Sequence, residues 1–183
     1  MIENLKFSKD FPKAGISFVD IMPFLQSKEA FSEIMNALCE AVTAPTVAAP
    51  EARGFLFTSP LLQMAGSPVT NVIPVRKMGK LPFSKGDLVV VSIIKEYGAD
   101  TLNYRLSDIE PSKSKDGVIE ITILDDVLAT GGTMEALAES LISHKINGCS
   151  IKIKEFVTLV EIDELNGRER LEKYAPVKSL MHI

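Results

Sequence analysis

The sequence predicts an α/β protein: a twisted, mostly parallel sheet flanked by helices. Three observations carry this. Short, near-continuous apolar runs stand at 46–49, 72–76, 88–94, 118–124 and 151–160, the pattern of strands buried on both faces. Segments with helical apolar spacing lie between several of them, and strands alternating with helices imply crossover units in a parallel sheet. The 183 residues, 46% hydrophobic and 24% charged, hold enough apolar material for a single domain, 1–183, around one core.

The elements follow in order. Phe31, Ile34, Met35, Leu38, Cys39 and Val42 fall at i, i+3, i+4, i+7, i+8 and i+11, which gives a helix over 28–43 opened by the N-cap candidate Ser27. Pro45 and Pro50 bracket Thr46-Val47-Ala48-Ala49 as a buried strand, and Glu51-Ala52-Arg53-Gly54 follows it as a loop. A second helix is expected over about 57–65, stopped by Gly66. Strands at 72–76 and 88–94 are joined through the basic connection Lys77-Met78-Gly79-Lys80-Leu81-Pro82, and the second reaches Glu96-Tyr97-Gly98. After the strand at 118–124, Met134, Leu137, Ala138, Leu141 and Ile142 stripe a helix that closes at His144, Lys145 and Gly148.

Composition excludes several classes. A net charge of −4 and a pI near 5.3 give no global attraction to nucleic acid or to an anionic membrane, so an anion site must be built locally. Met1-Ile2-Glu3-Asn4-Leu5-Lys6 lacks a signal-peptide core and no apolar run approaches bilayer length, so a soluble cytoplasmic protein is expected. Cys39 and Cys149 are too few for a disulfide framework and too isolated for a zinc site; both are expected to be reduced and buried.

The chemistry concentrates in Ile123-Leu124-Asp125-Asp126-Val127-Leu128-Ala129-Thr130-Gly131-Gly132-Thr133. Gly131 and Gly132 let the backbone approach a ligand, and the N–H groups opening the next helix, with the Thr130 and Thr133 hydroxyls, form a phosphate cradle. No G-x-x-x-x-G-K-[ST] and no G-x-G-x-x-G occurs, so a Walker loop and a dinucleotide fingerprint are excluded. Two carboxylates beside a phosphate suit a ligand that also offers hydroxyls: ionised acids only accept, and a ribose diol presents two donors. A ribose 5-phosphate therefore fits. The alternative is that the acids cap a helix or bind Mg²⁺, as in phosphoacceptor domains; Arg53 in its glycine loop and the basic connection after Arg76 favour a diphosphate-bearing sugar.

Over almost its whole length, from Phe11-Pro12 onward, the chain resembles the adenine phosphoribosyltransferases of the type I phosphoribosyltransferase fold. Besides the acidic motif, the resemblance rests on Phe11-Pro12-Lys13-Ala14-Gly15-Ile16, Glu51-Ala52-Arg53-Gly54-Phe55, Val75-Arg76-Lys77-Met78-Gly79-Lys80-Leu81-Pro82, Glu96-Tyr97-Gly98, Leu159-Val160-Glu161 and Gly167-Arg168-Glu169-Arg170-Leu171. It implies a small hood to which about residues 1–26 contribute, a flexible loop over the active site, and a homodimer. The implied reaction joins adenine to 5-phosphoribosyl 1-pyrophosphate, giving AMP and pyrophosphate through an oxocarbenium-like transition state.

On that resemblance Asp125 and Asp126 hold the ribose hydroxyls, and Ala129, Thr130, Gly131, Gly132 and Thr133 hold the 5′-phosphate. Arg53, Arg76, Lys77, Lys80 and Tyr97 take the pyrophosphate, with Mg²⁺ carried mainly by the pyrophosphate itself and no dedicated protein ligand. Ser17, Phe18 and Val19 cover the adenine, Ile162 lies opposite, and Glu96 meets N7. An ordinary glutamate, pKa about 4.3, is ionised at neutral pH, so Glu96 needs burial under a closed loop to act as an acid. Arg53, Glu96, Asp125 and Asp126 form the implied catalytic set.

Three departures from the family pattern stand out. Val19 replaces the arginine of Phe-Arg-Asp, Asn103 replaces a glutamate, and the stretch from His144 to Lys154 is longer than usual. Two other readings compete: a phosphoribosyltransferase for guanine, hypoxanthine or xanthine, and a purine regulator that keeps the sugar-phosphate domain as a sensor. The second finds no support, since only ten residues precede Phe11 and the chain is acidic.

Overall fold

The computed structural model describes residues 1–9, 17–95 and 98–183. Strands β1 (Lys6–Lys9) and β2 (Ser17–Asp20) pair antiparallel as a small separate sheet. Helix α1 (Lys28–Ala41) is capped by Ser27, whose hydroxyl accepts from the Ala30 N–H at 3.2 Å, and it buries Ile34, Met35 and Leu38. β3 (Thr46–Pro50) is buried throughout, as its proline brackets imply.

Helix α2 (Arg53–Thr58) corrects the expected 57–65. It starts directly after the loop, so that Phe57 and then Leu61 reach the core, and a 3-10 turn over Ser59–Leu62 succeeds it. Pro60 has no N–H to continue the α-helical ladder, which is why the chain tightens there.

β4 (Asn71–Lys77) and β5 (Leu88–Lys95) match the expected strands. The sequence reading has no counterpart for β6 (Gly98–Arg105), which returns antiparallel to β5 and also pairs antiparallel with the end of β4. β7 (Val118–Leu128) runs past the expected end at 124 and carries both aspartates inside the strand. Helix α3 (Gly132–Ile142) buries Met134, Leu137, Ala138 and Leu141, whereas Ile142 stays 43% exposed, outside the expected stripe.

A short β8 (Lys145–Ile146) folds back antiparallel on β9 (Cys149–Glu161) through Asn147 and Gly148, both at positive φ. This hairpin lies within the 144–154 stretch. Helix α4 (Gly167–Leu171) and β10 (Val177–His182) follow. Cys39 and Cys149 are free thiols, but only half-buried rather than buried, because each sits at the margin of an apolar cluster.

The large sheet has the order β10-β9-β7-β3-β4-β6-β5. Its first five strands are parallel, and β6 and β5 add an antiparallel hairpin at one edge. α1 and α2 cover one face and α3 covers the other, each with its own apolar cluster. β3 has β4 on one side and β7 on the other, so the chain winds outward in both directions from the β3–β7 pair. Among the described residues no helix is long and apolar enough to cross a membrane.

Glu155 and Asn103 are buried polar residues outside the cleft lining. Glu155, 3% exposed, accepts from the Thr43 N–H (2.7 Å), the Thr43 and Thr122 hydroxyls (2.6 and 2.7 Å) and Lys178 Nζ (2.9 Å). Asn103, 1% exposed, sits opposite Arg76 across the β4–β6 pair; its Nδ2 reaches only the Met78 sulfur at 3.7 Å and its Oδ1 has no partner among the described residues. An unpaired buried carbonyl costs on the order of 1 kcal/mol, so Asn103→Leu is expected to raise stability by about that amount, read as the urea-unfolding midpoint.

Candidate active site

Where neighbouring parallel strands lead their crossovers apart, a crevice opens beyond their carboxyl ends. The β3–β7 pair makes such a point, and the two motifs singled out in the sequence meet there. Gly54 allows the approach: a Cβ on it would stand 3.3 Å from the Leu124 carbonyl oxygen and 3.6 Å from Asp125 Oδ1, so the first turn of α2 lies directly on β7. A cis peptide bond joins Glu51 to Ala52 just before it.

That packing carries Arg53 over the aspartates. Its Nε is 2.8 Å from Asp126 Oδ2, and its guanidinium carbon is 5.1 Å from the centre of the Phe18 ring. The N–H does not point along the Nε–Oδ2 line, so the contact is an ion pair and Oδ2 lacks an aligned donor among the described residues. A buried carboxylate oxygen in that state is an open acceptor for a ligand hydroxyl. Asp125, half-buried, has its carboxyl pushed well above the usual range, first by burial and then by the Asp126 charge. Hydroxyl donors or growing positive charge between the two would relieve that penalty.

Arg53, Lys77, Asp100, Asp125, Asp126 and Thr133 line one cleft of about 250 Å³. Beside it, Gly131 at φ +76° turns β7 into α3, and its carbonyl accepts the Glu135 N–H at 2.9 Å. The preceding N–H groups at the start of α3 have no partners inside the helix, the arrangement that suits a phosphate. Thr133 lines the cleft, while Thr130 is exposed and is not part of its lining.

The remaining expected residues divide. Arg76 donates Nε to Glu51 Oε2 at 2.5 Å and its guanidinium carbon stands 6.0 Å from the Phe55 ring centre. Burial pushes the Glu51 carboxyl up, but the Arg76 and Lys77 contacts outweigh it and hold it low. Lys77 joins the cleft; Lys80 lies exposed beyond a turn and outside its lining. Phe18 is half-buried near Arg53, whereas the Val19 side chain points into the apolar core, leaving only its backbone for a ligand. Ile162 is partly buried at the end of β9, and Ser17 opens β2. Glu96 and Tyr97 lie outside the described residues.

Sequence reasoning missed Glu51, which holds Arg76, and Asp100, on the unexpected strand β6. Glu51 had a signal in the acid–small–base spacing of Glu51-Ala52-Arg53; Asp100 had none, because its place depends on the hairpin.

No family model matches the chain. It is 38% identical over 179 residues to the adenine phosphoribosyltransferase of Clostridium tetani, covering 94% of this chain and 92% of that one. It is 39% identical over 175 residues to the enzyme of that name from Thermotoga maritima, covering 94% and 91%. The chain belongs to the adenine phosphoribosyltransferase family. Among solved structures, the adenine phosphoribosyltransferase of Thermoanaerobacter pseudethanolicus superposes with a TM-score of 0.80 at 34% identity, covering 100% of this chain and 97% of that one. That of Saccharomyces cerevisiae, solved with adenine and an imino-altritol bisphosphate, gives 0.76 at 31% identity, covering 98% and 95%. The sheet is thus that of the type I phosphoribosyltransferase fold of this adenine phosphoribosyltransferase family.

Proposed function

We propose that the chain performs purine salvage: it transfers the phosphoribosyl group of 5-phosphoribosyl 1-pyrophosphate to adenine, giving AMP and pyrophosphate. The observation that carries this reading is the Arg53–Asp126 contact beside the 129–133 turn at the fork of the sheet. Asp125 and Asp126 take the ribose hydroxyls and face the carbon on which positive charge grows as the bond to pyrophosphate breaks. The 129–133 turn takes the 5′-phosphate. Arg53, Arg76, Lys77, Lys80 and Tyr97 receive the pyrophosphate, guanidinium forks matching its oxygens better than ammonium points.

Adenine lies against Phe18 and the backbone of Ser17 and Val19, with Ile162 opposite, and residues up to about 26 serve as the hood. Its N9 lone pair forms the new bond to the anomeric carbon as the bond to pyrophosphate breaks, and the proton on N7 passes to the ionised Glu96 carboxylate. The cleft's hard carboxylate oxygens suit Mg²⁺, but Asp126 is paired with Arg53, so a bound ion would be held mainly by the substrate's pyrophosphate oxygens and would supply charge screening for the leaving group. A homodimer agrees with the apolar surface left by Leu56 and Leu62, 39% and 43% exposed, on the segment that carries Arg53.

A spectrophotometric assay with 5-phosphoribosyl 1-pyrophosphate, Mg²⁺ and adenine, guanine, hypoxanthine or xanthine tests the reading. AMP should form with adenine and no nucleotide with the others; turnover of guanine alone rejects it. Glu96→Ala is expected to lower kcat about a hundredfold, the worth of one positioned proton acceptor, with the KM for the sugar substrate nearly unchanged.

A further inference from the structure

The chain after β9 is tied down at both ends of a short strap. Glu161, 3% exposed, receives both arms of the Arg168 guanidinium: Nε to Oε1 at 3.0 Å and Nη2 to Oε2 at 2.6 Å. Arg168 Nη1 also donates to the Val177 carbonyl at 2.8 Å, and the Ser179 hydroxyl donates to Glu161 Oε2 at 2.5 Å. Asp163 is fixed by His182 Nδ1 at 2.8 Å. These three, Glu161, Asp163 and His182, lie close enough to share an ion, but the Glu161 oxygens are already taken by Arg168 and Ser179.

The strap meets the end of β7 and the 129–133 turn at its two ends. The Ile162 N–H donates to the carbonyl of Leu128, the residue before the turn, at 2.9 Å. At the far end Asn166, at φ 51°, lays Gly167 flat against the turn. A Cβ on Gly167 would stand 2.1 Å from the Ala129 carbonyl oxygen, and one on Gly131 would stand 2.9 Å from the Gly167 oxygen. Two glycines remote in sequence thus exclude side chains from each other.

We propose that Arg168 is a positioning residue: by clamping Glu161 to α4 it fixes the strap 162–167, which presents Ile162 at one end and backs the 129–133 turn with Gly167 at the other. The inference rests on the reading of that turn as the phosphate site. A guanidinium fork fixes both oxygens of Glu161 where lysine supplies one point charge. Loosening it shifts both ends of the strap; widening Gly167 displaces the turn alone.

Calorimetric titration with ribose 5-phosphate, with the KM for adenine measured in parallel, separates these effects. Arg168→Lys and Gly167→Ala are each expected to weaken ribose 5-phosphate binding about tenfold or more, the scale set by a misplaced binding group. The KM for adenine should rise in Arg168→Lys and hold in Gly167→Ala. Glu155→Gln, which alters no hydrogen bond of Arg168, Glu161 or residues 162–167, controls for general loss of stability and should bind as the wild type does. The proposal is overturned if Arg168→Lys binds within twofold of the wild type while Gly131→Ala does not, or if Glu155→Gln weakens binding as much as Arg168→Lys. A wild-type protein that fails to bind ribose 5-phosphate, or whose binding Gly131→Ala leaves unmoved, refutes the phosphate reading and the strap with it.

Discussion

Replacing Asp126 with alanine is expected to cut kcat/KM by about a thousandfold, the upper range for removal of one preorganised electrostatic group. The variant loses more than an acceptor. Asp126 is the charge partner of Arg53 at 2.8 Å, and Arg53 in turn stands over Phe18. Without the carboxylate, the guanidinium loses its charge partner in the cleft, so on the proposed mechanism pyrophosphate and base positioning suffer with the ribose contact. Asp126→Asn separates the parts: it keeps a carbonyl acceptor of the same size and, on the proposed mechanism, removes the charge that faces the developing cation. Its kcat should fall by about a hundredfold while the KM for the sugar substrate moves little, because the lost interaction grows mainly in the transition state. Steady-state rates within threefold of the wild type for Asp126→Ala would remove the pair from the mechanism.

Glu155→Ala should be the most destabilising single change away from the cleft, by about 3–5 kcal/mol, which for a chain of this size lowers Tm by roughly 10 °C. The carboxylate gathers donors from the end of α1, from β7 and from β10, so its removal takes the acceptor from the Thr43 N–H and two hydroxyls, while Lys178 keeps only the Ala41 carbonyl. Burial alone would raise its pKa; the Thr43, Thr122 and Lys178 donors outweigh it and hold the pKa below the usual glutamate value. A depressed folded-state pKa contributes stability that is complete above the unfolded value of about 4.3 and is lost as pH falls through the folded value. The stability gap between wild type and Glu155→Gln should therefore be constant near neutrality and close below about pH 4. Chemical unfolding at stepped pH measures it, and a gap unchanged down to pH 3 would contradict the assignment.

The two motifs that form the cleft were legible because each is a local contrast: a small-residue turn carrying charge, placed directly after an apolar run. That contrast identifies Arg53, Asp125 and Asp126 without tertiary information. β6 was not legible, since Asp100, Thr101 and Asn103 interrupt the apolar pattern of Leu102 and Tyr104, and only pairing with β5 makes a strand of them. The start of α2 was misplaced because its amphipathic stripe is too short to date its own first turn; contact of Gly54 with β7 decides it. Glu155 reads in sequence as one more polar residue in an alternating strand, and its partners come from three other elements. Gly167 and Gly131 explain each other only once the fold brings them together.

One feature lies at the opposite pole of the molecule from all of this chemistry. The Asn147–Gly148 hairpin precedes β9, and the strand's 13 residues carry the chain about 40 Å before it reaches Ile162. A fluorophore or an inserted peptide at that bend would sit on a rigid stalk, remote from every substrate contact. It offers a handle for immobilising or labelling the protein while turnover is watched at the other end.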